Sequence, residues 1–149
     1  MARTSKPAAA PLASPDEIEQ QFYEALQRAD IERLMAVWSD DEEISCVHPG
    51  GPRVIGAAAI RATFESIFAH GAVDARPQKV RRLETHGCAI HSVIEHIQAM
   101  TPEGAQTAWV VATNVYLKGA LGWRLVSHHA SPGAPGELQE IAESASVLH

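Results

Sequence analysis

The hydrophobic pattern of this chain changes its period once, near Gly71, and this change constrains the fold more than any other feature. Before Gly71, apolar residues recur at the 3.6-residue spacing of amphipathic helices; after it, they follow the two-residue spacing of β-strands. The connections between the later runs are short, which favours antiparallel neighbours. Helices followed by an antiparallel sheet predict a fold of the α+β class.

Three helices are expected before the sheet. Ser14 and Glu17 form a capping-box pair around Pro15, which predicts that the first helix begins there. Asp30 is placed to cap a second, shorter helix. The third helix is expected to follow Gly56 as an alanine-rich run with one apolar stripe.

Four β-type runs are expected after Gly71, at about residues 80–85, 89–100, 106–118 and 123–131. Both faces of the third run are largely apolar, whereas an open antiparallel sheet usually presents one polar face to water. The helices can cover one face only. We therefore expect a homodimer through the outer sheet face; the alternative is a strongly coiled sheet that partly covers itself.

The 149 residues suffice for one domain. We expect residues 1–13 to be a disordered leader, residues 14–131 to be the domain, and residues 132–149 to be a loosely docked tail. The tail carries a weak helical pattern that contains Leu138, Ile141 and Val147.

Composition argues against several classes of partner. A net charge of −6 disfavours nucleic acid. No apolar stretch reaches the ~20 residues of a membrane span, and the first 14 residues lack the apolar block of a signal peptide, so we expect a cytoplasmic protein with no membrane partner. Cys46 and Cys88 match no CxxC spacing and are expected to be reduced. Phosphate-loop and dinucleotide fingerprints are missing, and no cofactor is expected.

A metal site is not expected either. His91 and Glu95 share a strand face, but four residues along a strand span roughly 13 Å, too far for common ligation without neighbours from other strands.

The order of helix, helix, short strand, turn, helix and meander resembles the nuclear transport factor 2-like superfamily, and most of all its SnoaL-like and ketosteroid isomerase-like branch. The resemblance implies a cone-shaped α+β barrel, in which a curved antiparallel sheet wraps around three N-terminal helices and leaves a mostly apolar cavity. Members of this superfamily include enzymes, transport factors and association domains, so the fold leaves the function open. The matching segments are residues 22–30, 38–41, 47–56, 114–116 and 122–131.

The ketosteroid isomerase-like pattern also suggests site residues. The resemblance implies that His48, in the turn after a short strand, occupies the position of that family's catalytic base. The carboxylic-acid donor falls on Asn114 and the tyrosine donor on Phe22. Imidazole titrates near ~6.5 and can serve as a base, and an amide can still donate a hydrogen bond, whereas Phe22 cannot. In that family these two donors stabilise the negative oxygen of the reaction intermediate. We therefore expect this chain to lack the donor that the tyrosine supplies.

Two adjacent histidines near the end of the last predicted strand are further candidate site residues. His128 and His129 point to opposite faces of their strand, and we expect His128 to face the cavity. The predicted catalytic residues are thus His48, Asn114 and His128. Alternative roles remain open: a turn histidine at position 48, and an amide at position 114 that is satisfied by a side chain or by water. The predicted ligand-binding residues are Phe22, Tyr23, Trp38, Tyr116 and His129.

Together these features predict a small-molecule pocket protein. The first interpretation is a cofactor-independent acid/base isomerase, dehydratase or cyclase that acts on a small apolar carbonyl-type substrate. The alternative is a non-catalytic ligand-binding or dimeric association module of the same superfamily.

Overall fold

The computed structural model describes residues 13–143, which form three α-helices and six β-strands. The predicted leader lies outside these residues except for Ala13, which is buried in the core. The helices are α1 (Pro15–Arg28), α2 (Ile31–Ala36) and α3 (Ala57–Phe68), and the strands are β1 (Ser45–Val47), β2 (Arg53–Ile55), β3 (Asp74–Glu84), β4 (Cys88–Thr101), β5 (Gly104–Gly119) and β6 (Gly122–Pro132).

The six strands form one curved, unclosed sheet in the order β2-β1-β6-β5-β4-β3. Strands β3 to β6 are the predicted antiparallel meander, and the α+β class is confirmed. Two details differ from the prediction. β3 begins at Asp74 instead of residue 80, and a short strand, β2, pairs with β1, which itself lies parallel to β6.

Helix α1 begins where the capping box predicts. The backbone N–H of Ser14 donates to Glu17 Oε1 at 2.9 Å, and the backbone N–H of Glu17 donates to Ser14 Oγ at 3.2 Å. The helix ends at Ala29, which adopts a left-handed conformation with φ of 52°. Its buried face combines apolar residues with two polar ones, Glu19 and Tyr23. These two side chains bring hydrogen-bonding groups into the space under the sheet.

The concave face of the sheet covers the helices. Along β4, alternate residues point inward, so that His91 and Glu95 are buried on either side of Val93. On β5 the inward residues include Asn114 and Tyr116. The concave face is therefore apolar around its edge and polar near its middle.

A bulge in β3 shapes one wall of the fold. Gln78 pairs with Ile94 and Arg81 pairs with Ser92, so one extra residue is inserted here, and Lys79 has a φ of 48°. Pro77 and Arg82 are five positions apart and would point to opposite faces of a regular strand. Because of the bulge, both pair with inward residues of β4 and point towards α1.

The described part of the tail has no regular secondary structure. Residues 133–143 are irregular, and Val147 lies outside the described residues. The Gln139 side chain bonds to the backbone of Ala134 and Gly136, which competes with helical hydrogen bonds. The segment is tied to β5 by a bond from Gly133 N–H to Trp109 O at 2.7 Å, and to β3 by an Arg81–Glu140 ion pair.

None of the helices within residues 13–143 is long and apolar enough to span a membrane. Cys46 and Cys88 are both free thiols.

Candidate functional site

Seven polar residues meet on the concave face between α1, β4, β5 and β6. Each is at most 5% exposed, which is unusual for groups that include two carboxylates and two imidazoles. Buried polar groups need partners because an unsatisfied one costs about 1–3 kcal/mol. The polar cluster consists of Glu19, Tyr23, His91, Glu95, Asn114, Tyr116 and His128.

Asn114 is the centre of the polar cluster. Its Oδ1 lies 2.5 Å from His128 Nδ1, and since a carbonyl oxygen only accepts, His128 Nδ1 carries the proton. Its Nδ2 donates to Glu19 Oε2 and to the hydroxyl oxygen of Tyr23, both at 3.1 Å. The amide group is thus fully engaged, and it orients both α1 side chains.

The hydrogen bonds of the polar cluster run towards two carboxylates. The Tyr23 hydroxyl donates to Glu95 Oε2 at 2.7 Å, and the Tyr116 hydroxyl donates to Glu19 Oε2 at 2.7 Å. Among the described residues, neither carboxylate forms an ion pair with a lysine or an arginine. Hydrogen bonds therefore stabilise both groups in place of a permanent positive charge.

The electrostatics of the polar cluster follow from burial. Burial raises the pKa of Glu95 to about 7; the hydrogen bond from Tyr23 opposes this rise, and the charge of Glu19 adds to it. Burial and the neighbouring Glu95 raise the pKa of Tyr23 well above its ordinary value. Burial, together with His48 and His129, lowers the pKa of His128 to about 3. At neutral pH, His128 is uncharged and Glu95 is divided between its protonated and ionised forms.

His91 is the least satisfied member of the polar cluster. Its side chain is 0% exposed, and neither ring nitrogen makes a hydrogen bond within residues 13–143. Nδ1 lies 3.0 Å from Glu19 Oε2, but the direction is not that of a hydrogen bond, and Nε2 lies 3.9 Å from Asp16 Oδ1. Each nitrogen thus faces a carboxylate oxygen.

A groove of about 360 Å³ lies between α1 and β3 and reaches the polar cluster. Tyr23 and Glu19 belong both to its lining and to the polar cluster. Its size is that of sites for small molecules. The lining residues are Asp16, Glu19, Gln20, Tyr23, Glu24, Gln27, Pro77, Val80 and Arg82.

Two arginines pair with acids of the groove. Arg82 Nε donates to Asp16 Oδ1 at 2.8 Å, and Arg33 NH2 lies 3.5 Å from Glu24 Oε1. Both pairs are exposed and contribute little to stability. Within the described residues, no group of three or more His, Cys, Asp or Glu side chains is placed to hold a metal ion.

The structure brings Asn114 and His128 together but places His48 elsewhere. The half-buried His48 ring packs 4.9 Å from the ring of Phe64, and its Nε2 lies 3.7 Å from Cys46 Sγ. Burial lowers the pKa of His48. The rings of Phe64, Phe22 and His128 contact one another in series between His48 and Asn114.

The predicted ligand-binding residues are likewise divided. Tyr23 lines the groove, and Tyr116 lies in the polar cluster behind it. Phe22 is fully buried against Tyr23. Trp38 lines a separate cavity of about 260 Å³ between α2 and α3. His129 is exposed, on the opposite face of β6 from His128.

Several site residues were not predicted from the sequence as groove or proton-transfer groups. Glu19 shares a helix face with Tyr23, four residues later, and Glu95 shares a strand face with the buried Val93. Acids at core-facing positions were the signal that could have identified them. Arg82 gave no such signal, because only the β3 bulge turns it inward.

Comparison with known proteins decides the family. A family model described as a SnoaL-like domain matches residues 16–135. This chain belongs to the SnoaL-like family. The match spans α1 to the end of β6, so the α1–β3 groove and the polar cluster lie within the SnoaL-like domain. A search of curated proteins gave no significant match.

Solved structures agree with this assignment. A protein from Thiobacillus denitrificans ATCC 25259, provisionally named a calcium/calmodulin-dependent protein kinase type II association domain, is 32% identical, with a TM-score of 0.75 over 86% of this chain and 99% of that one. A provisionally named dehydratase of the nuclear transport factor 2-like family from Streptomyces avermitilis is 30% identical, with a TM-score of 0.71 over 78% and 92%.

A third structure, a CaMKII hub from S. rosetta, is 20% identical, with a TM-score of 0.66 over 81% of this chain and 98% of that one, and it shares the fold. The SnoaL-like chain therefore lies in the nuclear transport factor 2-like superfamily. Its structural relatives carry the names of both enzymes and association domains.

Proposed function

We propose that this protein binds a small carbonyl-type molecule in the α1–β3 groove and moves a proton on it, as a cofactor-independent isomerase or dehydratase does. One observation carries the proposal. Tyr23 lines the groove, and its hydroxyl donates at 2.7 Å to Glu95, a buried acid whose pKa is raised to about 7. General acid–base catalysis at neutral pH requires a group whose pKa lies near 7.

Tyr23 and Glu95 would act as one unit. Glu95 in its protonated form donates to the Tyr23 oxygen while Tyr23 passes its own proton to the ligand, and the reverse transfer restores the pair. Because burial and Glu95 raise the pKa of Tyr23, the phenol relays the proton and does not store a charge. Glu95 is the group that gains and loses the net proton.

Asn114 and His128 would be positioning residues in this scheme. Asn114 Nδ2 donates to the Tyr23 oxygen at 3.1 Å, and His128 fixes the orientation of the Asn114 amide. The role predicted for His48 stays a prediction, and the proposal does not depend on it. The chemistry requires no cofactor, and a cytoplasmic location is part of the same proposal.

Exchange of carbon-bound hydrogen tests this function without the natural substrate. Cyclohexanone in D₂O loses its α-hydrogens when an acid–base group acts beside its carbonyl, and NMR follows the loss. We expect the protein to accelerate this exchange and Tyr23→Phe or Glu95→Gln to reduce the acceleration about a hundredfold. The matched variant Glu43→Gln, an exposed acid outside the groove, should retain it.

His48→Ala separates the two candidate bases, because only the role predicted from the sequence requires that imidazole. We expect His48→Ala to retain the exchange activity. No acceleration over buffer across a panel of small ketones, or an acceleration unchanged by Tyr23→Phe, would contradict the proposed function.

An apolar row on the outer sheet face favours a second property, association with another copy of the chain. Leu83 pairs with Ile90 across β3 and β4, and Ile90 pairs with Val115 on β5. Leu83, Ile90 and Leu117 are 66%, 37% and 46% exposed, although they share one face of the sheet. We propose a homodimer through this outer row, which the names of two structural relatives as association or hub domains support.

A further inference from the structure

We infer that Glu19 is a further catalytic residue, the base that removes a proton from the α-carbon of a carbonyl compound in the α1–β3 groove. This inference rests on the proposed function, because it adds a residue to the reaction of the same groove. The observation that carries it is the difference between the two oxygens of the Glu19 carboxylate.

One oxygen of this carboxylate is held by the protein. Oε2 accepts hydrogen bonds from Asn114 Nδ2 at 3.1 Å and from the Tyr116 hydroxyl at 2.7 Å, and His91 Nδ1 lies 3.0 Å from the same atom. Donors that converge on one oxygen favour the ionised form of a carboxyl group and fix its orientation. Glu19 is thus an oriented carboxylate in a nearly enclosed position.

The other oxygen is available to a ligand. Within residues 13–143, Oε1 accepts no hydrogen bond and is not enclosed by the protein, so it keeps contact with solvent. Because Glu19 belongs to the groove lining, Oε1 is the atom that a molecule in the groove can reach. A carboxylate oxygen placed beside a bound carbonyl compound can accept a proton from carbon.

Glu19 and Tyr23 lie close enough to act on one molecule. They are four residues apart on the buried face of α1, and both line the groove. Asn114 Nδ2 donates to Glu19 Oε2 and to the Tyr23 oxygen at 3.1 Å each, so these two oxygens are within about 6 Å of each other. A small ketone can therefore present its α-hydrogen to Glu19 and its carbonyl oxygen to Tyr23.

The surroundings of the two buried carboxyl groups assign their roles. The donors on Oε2 favour ionised Glu19. Within the described part of the chain, Glu95 accepts a single hydrogen bond, from Tyr23, and burial raises its pKa to about 7. Neighbouring carboxyl groups whose environments favour opposite protonation states are typical of an acid–base pair. Glu19 is the base, and Glu95 supplies the acid proton through Tyr23.

The reaction conserves charge within the buried pair. Glu19 Oε1 takes the proton from the α-carbon, and the electron pair of that C–H bond becomes the C=C bond of an enol. The π electron pair of the carbonyl group takes the proton of Tyr23 to the carbonyl oxygen, and the Tyr23 oxygen takes the proton of Glu95. Ionised Glu19 and neutral Glu95 thus become neutral Glu19 and ionised Glu95. The reverse step returns a proton to carbon, and in D₂O it returns a deuteron.

Glu19→Gln tests this role, because its amide oxygen still accepts from Asn114 and Tyr116 but takes no proton from carbon. In the D₂O exchange of cyclohexanone, we expect the variant to reduce the acceleration about a hundredfold. Its dissociation constant for cyclohexanone, from chemical-shift titration of the ¹⁵N-labelled protein, should stay within about twofold of the parent value. Glu43→Gln makes the same chemical change at an exposed position outside the groove and should retain the exchange.

Labelling with 2-bromocyclohexanone tests the same role in the parent protein, so the result does not depend on the folding of a variant. A carboxylate oxygen that faces the α-carbon displaces bromide and forms an ester with that carbon. Peptide mass spectrometry should locate the ester on Glu19, and an excess of cyclohexanone should prevent it. Cys88, a partly exposed free thiol, is expected to react as a background that cyclohexanone does not prevent.

The outcomes separate the two claims. If the parent protein accelerates exchange and Tyr23→Phe slows it, but folded Glu19→Gln keeps the full rate, the proposed function stands and only the base is wrong. If the parent protein accelerates no exchange, the proposed function fails and the inference fails with it. If Glu19→Gln does not fold, the label decides: a protected ester on Glu19 supports the inference, and its absence overturns it. Loss of exchange at unchanged affinity, together with the protected ester, supports both claims.

Discussion

The hydroxyl of Tyr23 on α1 donates a 2.7 Å hydrogen bond to Oε2 of Glu95 on β4, which lies 72 positions later in the chain. This bond opposes the effect of burial on the Glu95 carboxyl, since burial favours the neutral acid and the bond favours the anion. Burial is the larger effect. The result is a buried carboxyl group with a pKa of about 7 that is hydrogen-bonded to Tyr23, a residue of the groove lining.

Tyr23→Phe should raise the pKa of Glu95 above about 7. The variant removes the hydrogen bond that favours the anion and leaves the burial that disfavours it. Carbon-detected NMR titration of the glutamate carboxyls measures this value. Tyr116→Phe is the matched control, because its hydroxyl donates to Glu19. An unchanged or lower Glu95 pKa in Tyr23→Phe would show that this hydrogen bond does not set the titration.

Glu95→Gln should change how stability depends on pH. A folded-state pKa of about 7, above the ordinary value of 4.5, means that the folded protein binds this proton more tightly than the unfolded chain. The free energy of unfolding therefore falls as pH rises from about 4.5 to about 7, by about 3 kcal/mol in total. Glu95→Gln removes this loss, which urea unfolding at a series of pH values can measure. Glu103→Gln, in an exposed turn, should behave like the parent protein; a parent-like curve for Glu95→Gln would refute the prediction.

His128→Gln should change the dependence of stability on pH in the opposite direction to Glu95→Gln. Its folded-state pKa of about 3, below the ordinary 6.5, means that the unfolded chain takes up the proton first as the pH falls. The stability contributed by neutral His128 is present above pH 6.5 and is lost towards about pH 3, by about 5 kcal/mol in total. The same unfolding series measures it. His129→Gln, one residue away and exposed, is the control, and equal acid sensitivity in both variants would count against the assignment.

The two titrations nearly cancel in the parent protein between about pH 4.5 and 6.5, because Glu95 and His128 act with opposite sign. Each variant should expose the other group. Glu95→Gln should gain about 1.4 kcal/mol of unfolding free energy for each pH unit of rise, and His128→Gln should lose about the same amount. If the free energy of unfolding depends on pH in the same way in both variants, Glu95 and His128 are not the two groups with opposing effects.

Leu117→Glu should convert a dimer into a monomer. It places a charge beside the apolar row of Leu83, Ile90 and Val115, where burial against a second copy would require its desolvation. Sedimentation velocity measures the mass in solution. Leu121→Glu is the matched control, since Leu121 is 65% exposed in the turn between β5 and β6. A parent protein that is monomeric, or equal masses for both variants, would rule out this interface.

Local signals accounted for most of the fold. The capping box of Ser14 and Glu17 predicted the first turn of α1, and the change of period near Gly71 predicted the meander, because each depends on residues a few positions apart. The resemblance then supplied the curvature of the sheet. The weak helical pattern of the tail carried no such signal, and in the structure the Gln139 side chain bonds to the backbone of Ala134.

The sequence by itself determined that helices precede an antiparallel sheet, because both periods are properties of residues a few positions apart. Only the tertiary structure decided which polar groups meet. Tyr23 reaches Glu95 because α1 lies under the curved sheet, and Arg82 turns towards Asp16 because one inserted residue reverses the alternation of β3. Burial is also a property of the assembled fold, and burial is the main cause that raises the pKa of Glu95 to about 7.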